Sequence, residues 1–277
     1  MSNATGQIMS KLLADLTGKA IIVTGSTGGL GKEIARTCIE AKARGILITG
    51  RTTEKCERVV DELKETGGNT QIEFVAADLT DADGYKAIVD KAVSAFGTVE
   101  GLVNSAALSF PKGDLETTTL EHWDRLLRAN LTSAFLLTQY VTRHMKETST
   151  KGSIVNIGSN QSYGGAPDKL AYAVSKGGMR VLTKNCAQQL RKANIRVNQL
   201  NMGWCLTEAE DREQKKEKGD NWAEQADKES PMGRLLRPID TAATVIHFLS
   251  DASVMITGTE LDISPDVILG MLPENVG

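Results

Sequence analysis

The chain has 277 residues, 40% hydrophobic and 24% charged, with a formal net charge of -3. That length buries the core of one α/β domain without disulfides or a structural metal, and the acidic balance excludes nucleic acid as the main partner, because phosphate neutralisation needs clustered Lys and Arg. No apolar run reaches membrane-spanning length and no basic-then-apolar leader opens the chain, so a cytoplasmic protein with Cys38, Cys56, Cys186 and Cys205 reduced is expected.

In chain order, residues 1–16 read as a flexible polar arm and 17–277 as one domain. Apolar runs of strand length recur at Ala20–Thr24, Gly45–Thr49, Ile72–Ala77, Gly101–Asn104, Ser153–Ile157, Ile195–Leu200 and Glu260–Ile263. Between them lie stretches with apolar residues three and four apart, including helices predicted over about Leu120–Met145 and Leu170–Lys192. Continuous apolar strands alternating with helices predict a doubly wound parallel sheet covered on both faces. One interval breaks the rhythm: residues 208–230 are strongly charged around a lone Trp222. They suit either a solvated surface helix or, within a segment of about 204–232, a mobile lid whose apolar face closes on a substrate.

Gly25, Gly29 and Gly31 form a Gly-x-x-x-Gly-x-Gly turn between the first strand and its helix. Such a turn brings backbone N–H groups and the positive end of a helix to a pyrophosphate. Twenty residues later, at the end of the second strand, stands Arg51 in Gly50-Arg51-Thr52-Thr53. An acidic residue there would hydrogen-bond a ribose 2′-hydroxyl; a guanidinium instead grips a 2′-phosphate, which points to NADP(H) over NAD(H). The alternative is a surface arginine capping the strand.

Tyr172 and Lys176 are one helical turn apart and share a face. A phenol titrates near 10 when unperturbed, and an adjacent ammonium is expected to lower that value and make Tyr172 a usable general acid or base. Ser159 follows the fifth strand, at the carboxyl end where ligands bind in open parallel sheets. Its hydroxyl can donate to a substrate oxygen, with Ser162 close enough in sequence to compete. Asn130, inside a helical stretch, reads as a kink or an inter-helix contact. No metal site is expected from the cysteine and histidine spacings.

Together these residues resemble the classical short-chain dehydrogenase/reductase family over about residues 17 to 270. Thr24–Gly31 matches its Thr-Gly-x-x-x-Gly-x-Gly, and Ser159, Tyr172 and Lys176, with Asn130, match its catalytic tetrad. The resemblance implies a seven-stranded Rossmann sheet, hydride transfer at the nicotinamide and usually a homotetramer, with a homodimer as the smaller option. It implies cofactor contacts from Gly25, Thr27, Gly29, Leu30, Gly31, Arg51, Asp78, Leu79, Asn104, Ala106, Tyr172, Lys176, Gly203 and Thr207. Asn130 would hold a proton-relay water, Asp78 would contact adenine and Thr207 the carboxamide. The chain departs from the family at Asn104-Ser105-Ala106-Ala107, at Met202-Gly203 and at Ile263-Ser264-Pro265-Asp266.

For substrate, Ser159, Gln161 and Tyr172 offer polar groups, and Trp204 and Trp222 offer flat apolar walls, a combination suited to a sugar, polyol or cyclic hydroxy compound; Trp204 could equally pack the lid to the sheet. The tail Ile263–Leu269 is similar to that of members acting on sugar-like substrates. The competing expectations are a 3-oxoacyl reductase acting on a carrier-bound substrate and a dinucleotide-binding sensor or scaffold without turnover.

Overall fold

The structure, a computed structural model, describes residues 14–265. Seven strands, β1 (Ala20–Val23), β2 (Gly45–Gly50), β3 (Gln71–Ala76), β4 (Gly101–Asn104), β5 (Gly152–Ser159), β6 (Ile195–Met202) and β7 (Glu260–Ile263), pair in parallel in the order β3-β2-β1-β4-β5-β6-β7. The helices are α1 (Gly29–Glu40), α2 (Thr53–Lys64), α3 (Ala82–Phe96), α4 (Leu120–Leu127), α5 (Ser133–Glu147), α6 (Leu170–Leu190), α7 (Glu208–Lys218), α8 (Trp222–Glu229) and α9 (Pro238–Leu249). This is a single Rossmann-like α/β domain. β1 and β4 are buried along their whole length, because α1, α2 and α9 pack on one face and α3, α5 and α6 on the other. That double cover explains strands apolar throughout rather than alternating.

Chain order reverses between β1 and β4, which are neighbours in the sheet. The loops leaving their carboxyl ends diverge there and open the crevice in which ligands of such sheets bind.

Three expectations change in detail. Of the arm predicted over 1–16, residues 1–13 lie outside the described residues, and its end is packed on the domain: Leu16 is fully buried, its N–H donates to Ala41 O at 2.8 Å, and Thr17 bridges Ala43. An apolar side chain next to β1 gains more by joining that core than by staying in water. The helix predicted over 120–145 is broken by a π-helical turn at Arg128–Thr132, centred on Asn130. The charged interval folds as α7 and α8, anchored by a small core of Trp222, Ala226 and Leu235 against which Trp204 and Leu206 pack.

A row of polar side chains crosses the sheet beneath α6. Asn104, Asn156 and Gln199 stand in register on β4, β5 and β6. Asn104 Nδ2 donates to Asn156 Oδ1 at 2.8 Å, Asn156 Nδ2 to Thr183 Oγ1 at 2.8 Å, and Thr183 Oγ1 to Gln199 Oε1 at 3.1 Å. Gln199 Nε2 continues to Asn201 Oδ1 at 2.6 Å, and Asn201 Nδ2 to Asp262 Oδ1 at 2.9 Å. Gly158 fits beside this row because it lacks a side chain: a Cβ there would lie 2.3 Å from Asn201 Oδ1 and 2.5 Å from Gln199 Nε2.

Candidate active site

A cavity of about 820 Å³ opens at the carboxyl ends of the strands. Its floor is the glycine turn. Gly25 has φ of 64°, and a Cβ on it would stand 2.8 Å from Ala106 Cα. A positive φ and close backbone approach both require glycine. The Thr24 hydroxyl holds the two loops together, accepting from Ser105 N and Ala106 N at 3.0 Å each. Ala106, which keeps the family's alanine between the departures at Ser105 and Ala107, is therefore accommodated by Gly25 across from it. α1 starts at Gly29 after the N-cap Gly28, with no side-chain cap and no acidic residue in its first turn. Its unpaired donors and positive dipole face the cavity, as a dinucleotide pyrophosphate requires.

The sequence-derived cofactor residues Gly25, Thr27, Gly29, Leu30, Gly31, Arg51, Asp78, Leu79, Ala106, Tyr172, Lys176, Gly203 and Thr207 all line this cavity. Asn104 does not: it is 3% exposed and spends its amide protons on Asn156 and Thr138. The neighbouring Ser105 and Ala106 form the wall instead. At the β2 end, Arg51, Thr52, Lys55 and Thr27 surround a side recess of about 360 Å³. Sequence reading missed Lys55, although its place four residues after Arg51 on the first turn of α2 was a usable signal. Asp78 Oδ1 accepts from Thr80 N and Thr80 Oγ1 at 2.8 Å each. The Thr80 backbone and hydroxyl bonds, followed by the charge of Arg51, hold its carboxyl below the usual value.

Tyr172 and Lys176 come from the first two turns of α6, and Ser159 ends β5. Lys176 is 1% exposed; its ammonium donates to Ile157 O at 2.7 Å and stands 5.8 Å from the centroid of the Tyr172 ring. Burial pushes its pKa down to about 8. The expected lowering of the phenol is not met here. Burial raises the Tyr172 pKa first, the Ser159 hydroxyl pulls it down, and the charge of Glu210 pushes it up again. Desolvation of the phenolate outweighs its neighbours here. Ser159 Oγ accepts from Gln161 N at 3.1 Å, which turns Gln161 onto the cavity wall, whereas Ser162 lies off it.

Asn130 is fully buried and off the cavity. Its Oδ1 accepts from Leu108 N at 2.7 Å, and its Nδ2 donates to Leu108 O at 2.9 Å and Ser175 Oγ at 3.1 Å. Ser175 in turn donates to Tyr172 O at 2.7 Å. With both amide protons engaged, the side chain serves as kink and inter-helix contact together, tying the loop after β4 to the Tyr172 turn.

The segment expected to be a lid differs most from expectation. Trp222 is 2% exposed, off the cavity, its centroid 5.6 Å from that of Trp204 and its Nε1 donating to Asp211 Oδ1 at 3.0 Å. It anchors the lid rather than walling a substrate. Trp204 does line the cavity, but its ring is engaged by Trp222 and by the Lys218 ammonium at 4.9 Å. The lid's apolar side turns to its own core, and α7 offers the cavity Glu208, Glu210, Arg212 and Gln214. Thr207 Oγ1 caps α7 by accepting from Glu210 N at 3.2 Å, with the Thr207 side chain over Gly29. Cys205 also lines the cavity, but burial pushes its thiol up to about 12, which leaves it unreactive near neutrality. Beyond Pro265, the tail expected to bear on substrate lies outside the described residues.

A family model described as enoyl-(acyl carrier protein) reductase matches residues 25–264. An NADP-dependent (R)-specific alcohol dehydrogenase from Lentilactobacillus kefiri is 35% identical over 247 residues, covering 88% of this chain and 94% of its own. Glucose 1-dehydrogenase 2 from Bacillus subtilis is 30% identical over 247 residues, covering 89% of this chain and 93% of its own. Among solved structures, a short-chain type dehydrogenase/reductase from Mycobacterium marinum gives a TM-score of 0.83 at 26% identity, over 92% of this chain and 98% of that one. The chain belongs to the short-chain dehydrogenase/reductase family. As a short-chain dehydrogenase/reductase it is an oxidoreductase acting on CH–OH groups with NAD(P) as acceptor. No helix among the described residues is long and apolar enough to cross a membrane.

Proposed function

We propose that this enzyme prefers NADP(H) and moves a hydride between the nicotinamide and a secondary alcohol or ketone, carried by a sugar, polyol or cyclic hydroxy compound. The cofactor preference rests on the β2 corner, where Arg51 and Lys55 flank a recess and Gly50–Thr53 offer no carboxylate to repel a 2′-phosphate. The NADP-dependent relative supports that preference, and the glucose dehydrogenase supports a polyhydroxylated substrate.

The glycine turn and the α1 N-terminus would hold the pyrophosphate, Asp78 and Leu79 the adenine side, and Gly203 and Thr207 the nicotinamide end. When bound, the cofactor supplies or accepts the hydride. In the reductive direction Tyr172 gives its hydroxyl proton to the substrate oxygen while Ser159 Oγ donates a hydrogen bond to the same atom. Lys176 favours the phenolate left behind, and Asn130, through Ser175, fixes the turn that carries Tyr172. We further propose a cytoplasmic protein, supported by four free thiols, a single domain over 17–277 with its lid at about 204–232, and a homotetramer or homodimer, supported by exposed Phe135 on α5 and Val174 and Val181 on α6.

The test compares kcat/KM with NADPH and NADH on a panel of ketones, for the wild type and Tyr172→Phe. NADPH is expected to win, and Tyr172→Phe to keep the NADPH-induced melting shift while losing about 10²–10⁴ in turnover. Preference for NADH would overturn the cofactor reading, and retained turnover in the variant would overturn the role of Tyr172.

A further inference from the structure

Lys169, Tyr172 and Lys176 follow one another along α6 at spacings of three and four residues, so they share a face, and all three line the cavity. Lys169 is the N-cap residue, about 5 Å along the axis from Tyr172 and on the side away from Lys176. Lys176 belongs to the cofactor contacts and Tyr172 to the reacting oxygen; Lys169 therefore meets the part of the substrate that lies beyond that oxygen. α7 marks the same end of the cavity independently. It begins at Glu208, whose Oε2 is 3.7 Å from the place of a Cβ on Gly28, at the phosphate-binding turn. About 14 Å further along the helix, Glu217 meets Lys112 at 3.1 Å, and Gly113, next to Lys112, bridges Lys169. The helix runs from the phosphate end to the rim that carries Lys169.

Three cations line this half of the cavity: Lys112, Lys169 and Arg212. Lys112 takes up both acids near it, Glu217 and Asp168, the latter at 3.6 Å. Arg212 is mostly exposed and lies 3.8 Å from Glu213. Lys169 is partly buried, and its ammonium has neither a hydrogen-bond nor an ion-pair partner among the described residues. No acidic residue stands in the first turn of α6 to compensate it. An ammonium drawn partly out of water without a counter-charge favours an anion that enters the same cavity. We propose that Lys169 binds a carboxylate of the substrate, at the end of the molecule remote from the nicotinamide. The substrate class is then a polyhydroxy acid of the aldonate kind rather than a neutral sugar or polyol. This rests on the polyol reading above and narrows it. A single ammonium matches the single charge of a carboxylate, and the carboxylate takes no part in hydride transfer.

The experiment compares aldonates of increasing chain length with the alditols of the same configuration. It measures kcat/KM for each, and binding of each to the enzyme saturated with oxidised cofactor, read by quenching of tryptophan fluorescence, since Trp204 lines the cavity. The wild type is expected to favour the aldonate. In Lys169→Met the aldonate-to-alditol ratio of kcat/KM should fall about tenfold or more, chiefly through KM, and Lys169→Arg should restore most of it. Rising ionic strength should lower the wild-type ratio and leave that of Lys169→Met flat. A ratio unchanged in Lys169→Met, or a wild-type preference for the alditol, would overturn the carboxylate site and leave the polyol reading standing. If aldonates bind in a Lys169-dependent way and neither class is oxidised, the site stands and the polyol oxidation reading fails. Binding of neither class to the wild type overturns both.

Discussion

Lys176 is an ammonium in a nearly dry setting, hydrogen-bonded to the carbonyl of Ile157 and titrating near 8 instead of near 10.5. Between those values the unfolded chain binds more protons than the folded one. The penalty on the fold is therefore full below about pH 8 and is lost as pH rises toward 10.5. Lys176→Met is accordingly expected to be inactive and more stable than the wild type at pH 7, by on the order of 2 kcal/mol. That advantage should close as pH rises through 8 to 10.5. Urea denaturation of both cofactor-free proteins across that range checks it, and a gap independent of pH would contradict it. The Tyr172–Lys176 pair was legible in the sequence because helical spacing puts both on one face. The direction of the phenol's shift was not, since spacing says nothing of how much water that face keeps. Glu210 and Gln214 were hidden for a related reason: in a run as charged as Glu208–Lys218 each polar residue reads as solvated until the fold shows which side is covered.

At the level of elements, the α7–α8 segment proposed as a lid has a core of its own, centred on Trp222, Ala226 and Leu235. Trp222→Ala removes the largest member of that cluster, a truncation that costs about 3–5 kcal/mol in a well-packed site. Because the cluster is local, the loss is expected as opening of α7 and α8 rather than as global unfolding. Trypsin should then cut faster at Lys215, Lys216 or Lys218, substrate KM should rise several-fold, and the main melting transition should move little. Equal loss of melting temperature and lid protection would show the lid and sheet to be one cooperative unit. Trp222 illustrates what an isolated aromatic conceals: the residue type suits a substrate wall and a core anchor equally, and only its hydrogen bond to Asp211 and its packing on Trp204 decide. The strands were legible nearly to the residue, since a doubly covered parallel sheet leaves an unbroken apolar run. At Asn130 the sequence offered a kink or an inter-helix contact within one helical stretch; the π-helical form of the kink was not legible, because such a turn keeps the apolar spacing on either side of it.

For the molecule as a whole, the exposed Phe135, Val174 and Val181 on α5 and α6 lie on the flank opposite the sheet-facing side of those helices. Covering them with a second copy is expected to give a particle of two or four chains by sedimentation, and Val181→Glu with Phe135→Glu is expected to yield smaller particles that keep the fold; a wild-type monomer would contradict the assembly. The overall architecture was legible because strand and helix alternate from β1 onward, with one charged interval between β6 and β7. The polar row beneath α6 was not, since amides on separate strands meet only once the strands are paired. That row has a consequence for how the chain reaches its native state. Sliding β5 by one residue along β6 would turn Asn156 toward the opposite, apolar face, where Val155 and Leu200 now pack. It would also part Asn156 from Asn104 on one side and from Thr183 on the other, and each buried polar group left unpaired costs about 1–3 kcal/mol. Apolar strands grip one another almost equally well in several alignments; amides do not. The row thus acts as a key that admits one alignment of β4, β5 and β6, and thereby sets Ser159 at the height of Tyr172 before any ligand arrives.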